Sequence, residues 1–260
     1  MAEDSGKIDP MHQFEVQTIA DLFRIGDVQI AFTNSALWMC ATVIVLWLFM
    51  LGGMKRAAVP GRWQMMVENF TGFVDGMLRD SAGKAGRTYL PYVFSLFMFI
   101  LFGNLLGLLP LGLFGLHPFT FTSHFTITGV LAIMSFAIVL IVGFFKHGLH
   151  FFSLFIPSGT PKPMMPLIFL IELISFLFRP FSLGLRLFVA MIAGHILLKV
   201  LAGFVINTTN AGAVTGALIG IPSFALMIAV SALEVLVACI QAYVFALLTS
   251  LYINDAEHLH

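Results

Sequence analysis

The stretch that decides the architecture is SLGLRLFVAMIAGHILLKV, Ser182 to Val200. It is apolar enough to sit in a membrane, yet it holds Arg186, His195 and Lys199. An arginine there cannot shed its charge, because its pKa lies above ~12. The stretch is part of a longer apolar run, residues 164–205. At 1.5 Å per residue a helix of that length reaches about 63 Å, twice the ~30 Å hydrocarbon core of a bilayer. Either the run is two elements, with Pro180 as the break or kink, or it is one helix tilted steeply in the membrane. NTTNAGA, 207–213, is a good turn, and a second overlong apolar run follows over 214–253. The last third therefore reads as a hairpin of two overlong helices.

The rest of the chain fits an all-α polytopic membrane protein. Of 260 residues, 59% are hydrophobic and only 10% charged, where a soluble domain carries about 25%. Mean hydropathy is +0.99. The zero net charge gives no sign of nucleic-acid binding. Cys40 and Cys239 lie in apolar stretches and read as small buried apolar residues. Residues 1–33 are polar and mildly acidic at first, and lack the basic and apolar regions of a cleaved signal peptide. A first span is expected over 34–54. Two more follow in 88–146, roughly 90–113 and 125–146, parted by the turn-prone HPFTFTSH, 117–124. Between them, residues 61–82 place Trp63, Met66, Val67, Phe70, Phe73, Val74, Met77 and Leu78 at helical spacing among polar residues. That is an amphipathic helix lying in the interface, or one packed on the protein's own helices. About five membrane helices and one interfacial helix make a single integral membrane domain, the final hairpin occupying 163–254.

Orientation follows from charge. Lys55, Arg56, Arg62, Arg79, Lys84, Arg87, Lys146 and Lys162 all flank one side, and the opposite loops, about 107–124 and 205–213, hold no Lys or Arg. The basic side is then cytoplasmic, or the matrix side in a mitochondrion. This places the N-terminus outside and the C-terminus inside.

Glu172, Arg179, Arg186, His195, Lys199, Glu234 and Gln241 fall within the hairpin. A charge at bilayer depth costs at least ~2.5–3.5 kcal/mol. Glu172, Arg179 and Arg186 are seven apart, and seven steps drift only about 20°, so they share a helix face. His195 points away from that stripe, and Lys199 shares its side. Glu234 and Gln241 are again seven apart. The pattern suits an ion path with a fixed positive gate, since Glu and His exchange protons and Arg does not. Bland readings exist for most of these groups. Arg179 and Lys199 can snorkel to the two interfaces, Glu172 can pair with Arg179, and Glu234 can bond His195 structurally. Arg186 is too deep to snorkel and has no acid within two turns on its face. Its counter-charge comes from Glu234 across the hairpin or from another polypeptide with a buried carboxylate.

These residues carry a family resemblance. SLGLRLFVAMIAGH (182–195) and IQAYVFALLTSLYI (240–253) resemble the signatures of the a subunit of F-type ATP synthases. GNLLGLLP (103–110), TSHFTIT (122–128), HGLHFFSLFIPSGTPKPMMP (147–166) and IELISFLFRPFSL (171–183) follow in the family's order, and DPMHQFE near the N-terminus is similar to proteobacterial members. The resemblance implies a stator subunit with two offset half-channels. Through these, protons reach and leave carboxylates on a ring of small hairpin c subunits. Arg186 matches the arginine facing the ring, Gln241 a glutamine near it, and Glu234 and His195 a polar pair at the proton access path. Glu172 matches an acid on the cytoplasmic-side path, and Asn104, Ser123 and His124 match polar positions nearer the outer side. Family members often have Asn four residues after the arginine; here Ala190 stands there. The implied partners are the c-ring, the b-type subunits of the peripheral stalk, the rest of the synthase and the lipid bilayer. The implied ion is H⁺, as the titratable His195 and Glu234 favour over Na⁺, and the implied setting is a bacterial inner membrane. No cofactor and no metal are implied. The chain is not catalytic alone, and it has no G-x-x-x-x-G-K-[ST] phosphate loop.

Two other classes compete. A secondary transporter would use the intramembrane charges as its solute site, but no internal repeat or matched pair of interrupted helices is visible. A purely structural subunit of a respiratory complex leaves the heptad-spaced polar residues unexplained. His147 with His150, or His258 with His260, would be the only metal candidates, and they read as interfacial or tail residues.

Overall fold

The computed structural model describes residues 15–25, 28–54, 61–83, 85–109, 119–148, 151, 162–208 and 213–257. Six helices carry the described residues: α1 Asn34–Gly53, α2 Arg62–Ala82, α3 Leu90–Leu108, α4 Phe125–His147, α5 Met165–Thr208 and α6 Ala213–Glu257. All but α2 are long and apolar enough to cross a membrane. The fold is all-α, with one addition that was not expected. A short antiparallel hairpin, β1 Thr18–Ile25 and β2 Val28–Thr33, precedes α1, with Thr18 opposite Thr33 and Ile25 opposite Val28. Asn34 ties its base to α1: its side chain donates to Glu15 O and accepts from Gln17 N. The Thr33 hydroxyl accepts from Ala36 N, which satisfies one of the amides that a helix start leaves open.

Local chemistry explains the helix ends. α3 stops at Leu108, short of the expected 113, because Leu109 precedes Pro110 and a residue before proline is pushed out of helical geometry. Pro91 and Pro166 sit in first turns, where no amide donor is needed. Pro180 and Pro222 are inside α5 and α6, and both helices run through them. Each proline removes the bond to the carbonyl four residues back. The question left open by the sequence is thereby answered: residues 165–208 form one helix of 44 residues, about 66 Å long at 1.5 Å per residue. α6, with 45 residues, is as long.

The described chain divides into two compact units. The first takes the described residues within 1–42, 101–124 and 188–241; the second takes those within 43–100, 125–187 and 242–260. In the second, glycines allow close helix approach. A Cβ on Gly53 would meet the Val67 side chain, and one on Gly184 would come 3.0 Å from Thr128 O. The Trp63 indole donates to Phe49 O at 2.8 Å, fixing α2 against the end of α1. Val67, Val74, Met77 and Leu78 of α2 are buried, while Trp63, Met66 and Phe73 remain half exposed. The apolar stripe of α2 thus packs on the protein along one edge and leaves the other exposed. A hydroxyl pair, Ser81 and Ser250 at 2.5 Å, joins α2 to α6. Cys40 is exposed and Cys239 half-buried, so neither is the buried small residue expected; both lie on outward parts of apolar helices.

Candidate functional site

In the first unit, the expected polar residues gather around α3, the 119–124 turn, α5 and α6. α3 supplies a small-residue platform. A Cβ on Gly103 would overlap the Phe121 ring, and one on Gly107 would overlap the Thr120 hydroxyl. The turn therefore seats directly on the α3 backbone. Between the two glycines, Asn104 is fully buried. Its amide donates to Ala238 O of α6 at 3.3 Å, and its oxygen accepts from the Thr122 hydroxyl at 2.7 Å. A buried amide in apolar surroundings needs such partners.

The neighbouring hydroxyl reaches the titratable pair. Thr120 Oγ1 lies 2.7 Å from His195 Nε2, and His195 Nδ1 lies 3.4 Å from Glu234 Oε1. Glu234 is 3% exposed. Its close approach to α5 depends on Gly194, where a Cβ would stand 2.7 Å from Glu234 Oε1. Gln241, two turns further along α6, is half-buried. Ser123 serves its own turn, its hydroxyl donating to Thr120 O at 2.6 Å. His124 stacks on Phe119 at 5.0 Å, and burial holds its imidazole below the ordinary histidine pKa. The structure thus brings together Asn104, His195 and Glu234, and adds Thr120, Thr122 and Gly194, which sequence reasoning missed. Thr120 and Thr122 lay in a segment legible only as a polar turn.

Arg186 and Glu172 belong to the second unit. Arg186 is exposed on α5, flanked by the buried Leu183 and Leu187. Glu172 is partly buried. Arg179 finds its carboxylate in Asp255, 3.0 Å away, and not in Glu172; its guanidinium also lies over the rings of Tyr252 and Phe176. At the same end of that unit Lys146 Nζ is 2.5 Å from Glu257 Oε1, and His147 Nε2 is 3.0 Å from Glu257 O. His150, His258 and His260 lie outside the described residues, among which no group of three His, Cys, Asp or Glu is gathered as for a metal.

Fold and site together define a multi-pass membrane protein with titratable and permanently charged side chains on its long membrane helices. A sequence profile of the ATP synthase A chain matches residues 35–254. The chain is similar to ATP synthase subunit a of Erythrobacter litoralis, 71% identical over the whole of both chains. The same holds for Novosphingobium aromaticivorans at 70%, again over both whole chains, and Zymomonas mobilis at 55% over 98% of this chain and 99% of the relative. The chain belongs to the ATP synthase A chain family. Members are membrane stator subunits of rotary F-type ATP synthases, serving proton transport and ATP synthesis without a catalytic centre of their own. The protein is accordingly a multi-pass component of a bacterial inner membrane, associated with the rest of that enzyme, and the solute-transporter reading falls away.

Proposed function

We propose that protons reach the rotor through the buried polar cluster of the first unit, and that Arg186 keeps this access path apart from the exit path. The observation that carries the reading is Glu234, a carboxylate 3% exposed on a membrane helix and 3.4 Å from a histidine nitrogen. A carboxylate buried beside a fixed cation would be locked in one state. Beside an imidazole it shares a proton. Carboxylic acid with neutral imidazole and carboxylate with imidazolium have the same net charge, so moving the proton between them makes a buried ion pair and never an isolated buried charge. Asn104, Ser123 and His124 belong to the outer end of this path, Gln241 to its rotor end, and Glu172 to the path toward the cytoplasm.

Arg186 works by keeping its charge. Exposed on α5, it faces the c-ring, attracts a deprotonated ring carboxylate and lowers that carboxylate's pKa. A fixed cation also repels protons that would cross directly from one path to the other. The ring turns because each released proton moves through the transmembrane potential, about 2.3 kcal/mol per charge per 100 mV. Basic loops set the orientation, with the N-terminal residues 1–33 outside and the C-terminus in the cytoplasm. The b-type subunits of the peripheral stalk hold the assembly against rotation. Residues 1–260 act as one integral membrane domain, with the spans over 34–54 and 88–146, the interfacial helix over 61–82 and the hairpin over 163–254 tilted steeply, since helices about 66 Å long fit a ~30 Å core only at a slant.

The test is ATP-driven proton pumping in inverted membrane vesicles, comparing wild type with Arg186→Ala at matched assembly. Pumping is expected to be lost while the complex stays intact. Retained pumping at normal coupling would remove Arg186 from the mechanism.

A further inference from the structure

We propose that Thr120 is a positioning residue of the proton path, whose hydroxyl holds His195 so that the opposite ring nitrogen faces Glu234 in both protonation states of the imidazole. The inference rests on the reading of His195 and Glu234 given above.

The placement is built rather than incidental. Thr120 is 5% exposed, and its Oγ1 lies 2.7 Å from His195 Nε2. Its backbone is fixed from two directions. Ser123 donates to Thr120 O through its amide at 3.0 Å and through its hydroxyl at 2.6 Å. On the α3 side, a Cβ at Gly107 would stand 2.7 Å from Thr120 Cβ and 3.0 Å from its Cα, so the glycine admits Thr120 to this position. Directly after it, Phe121 rests over Gly103 and Thr122 bonds Asn104, which pins the turn to the same helix.

The chemistry favours a hydroxyl at this point. When His195 is neutral with its proton on Nε2, Nε2–H donates to Thr120 Oγ1 and the bare Nδ1 faces Glu234. When Glu234 passes its proton to Nδ1, the ring is an imidazolium and Thr120 Oγ1 still accepts from Nε2–H. In the other neutral tautomer, with the proton on Nδ1, the Thr120 O–H turns and donates to Nε2; the ring stays in place throughout. A carboxylate here would compete with Glu234 for the proton, and an apolar side chain would take the Thr120 hydrogen bond away from Nε2. Charged and titratable groups that act on the ring include Glu234 from α6 and Lys199, one turn on along α5. Neither takes the place of a neutral group that both donates and accepts.

The experiment compares ATP-driven pumping by the complete synthase in inverted vesicles, at matched assembly, for wild type, Thr120→Val, Thr120→Ser and Glu234→Gln. Valine keeps the shape of threonine and removes the hydroxyl; its pumping is expected to fall about three- to tenfold, the factor that one lost hydrogen bond carries. Serine keeps the hydroxyl and is expected to pump close to wild type, a rescue that a merely packing role would not produce. Normal pumping by the valine variant overturns the proposal, as does a serine variant that falls with it. If the valine variant fails to assemble, serine and alanine decide the matter: serine near normal with alanine low supports the proposal, and the two behaving alike contradicts it. Glu234→Gln separates this inference from its basis. If that variant loses pumping while Thr120→Val retains it, only the role of Thr120 falls; if both pump normally, the proton path itself does.

Discussion

The two compact units solve opposite problems with their polar residues. In the first, the buried groups are hydroxyls, one amide, an imidazole and a carboxylate, and Glu234 has a histidine beside it. In the second, ion pairs join fixed cations to acids: Arg179 with Asp255, Lys146 with Glu257, and Arg79 with Asp75. These keep part of their surface in contact with the surroundings, as the quarter-exposed Arg179 and the half-exposed Lys146 show. The difference teaches which kind of partner suits which task. Fixed pairs hold helices in place. A group that must exchange a proton is better served by neighbours that accommodate both of its states.

The largest effect expected from breaking this contrast is at Gly194. Gly194→Leu pushes Glu234 off α5, and pumping should fall by about tenfold or more, since small displacements of a reacting group are costly. Pumping at the wild-type level would mean that the His195–Glu234 distance does not govern transfer. A middle effect is expected from Asn104→Leu. The Thr122 hydroxyl loses its partner, which costs about 1–3 kcal/mol for a buried group left unsatisfied, and Ala238 O loses the bond it accepts beyond those of its own helix. A lower thermal midpoint of the purified complex, with reduced pumping, is the expected readout. The smallest effect belongs to the second unit. Lys146→Ala removes a partly exposed pair worth about 0–1 kcal/mol, so stability should barely shift and pumping should be unchanged. A large pumping defect there would erase the distinction between holding pairs and titrating ones.

Much of this was legible in the chain itself. The two overlong helices follow from apolar runs that contain no turn chemistry, and Arg186 stood out because nothing in its own sequence neighbourhood neutralises it. Whether Pro180 breaks α5 was not legible, because a lost backbone bond can be tolerated by surroundings that local sequence does not reveal. The β1–β2 hairpin was missed for a different reason: residues 18–33 have no strong alternation, so the one turn signal between the two strands, the dipeptide Gly26-Asp27, went unread. The pairing of Arg179 with Asp255 joins positions 76 apart, and its alternative, Glu172, lay closer in sequence and on the same helix face. The Thr120 contact is the clearest limit. GNLLG reads as a flexible or close-packing helix segment, and FTFTS reads as a polar turn. Only folding places one on the other and aims a hydroxyl at His195.

The central claim is that protons pass by the His195–Glu234 pair. The direct measurement is passive proton conductance of inverted vesicles stripped of the ATP-hydrolysing sector, for wild type and Glu234→Gln with equal amounts of the membrane sector. Glutamine keeps the shape and removes the proton-exchanging oxygen, so conductance should drop to the level of vesicles lacking the membrane sector. Conductance equal to wild type would contradict the account, because protons would then be crossing without the buried carboxylate.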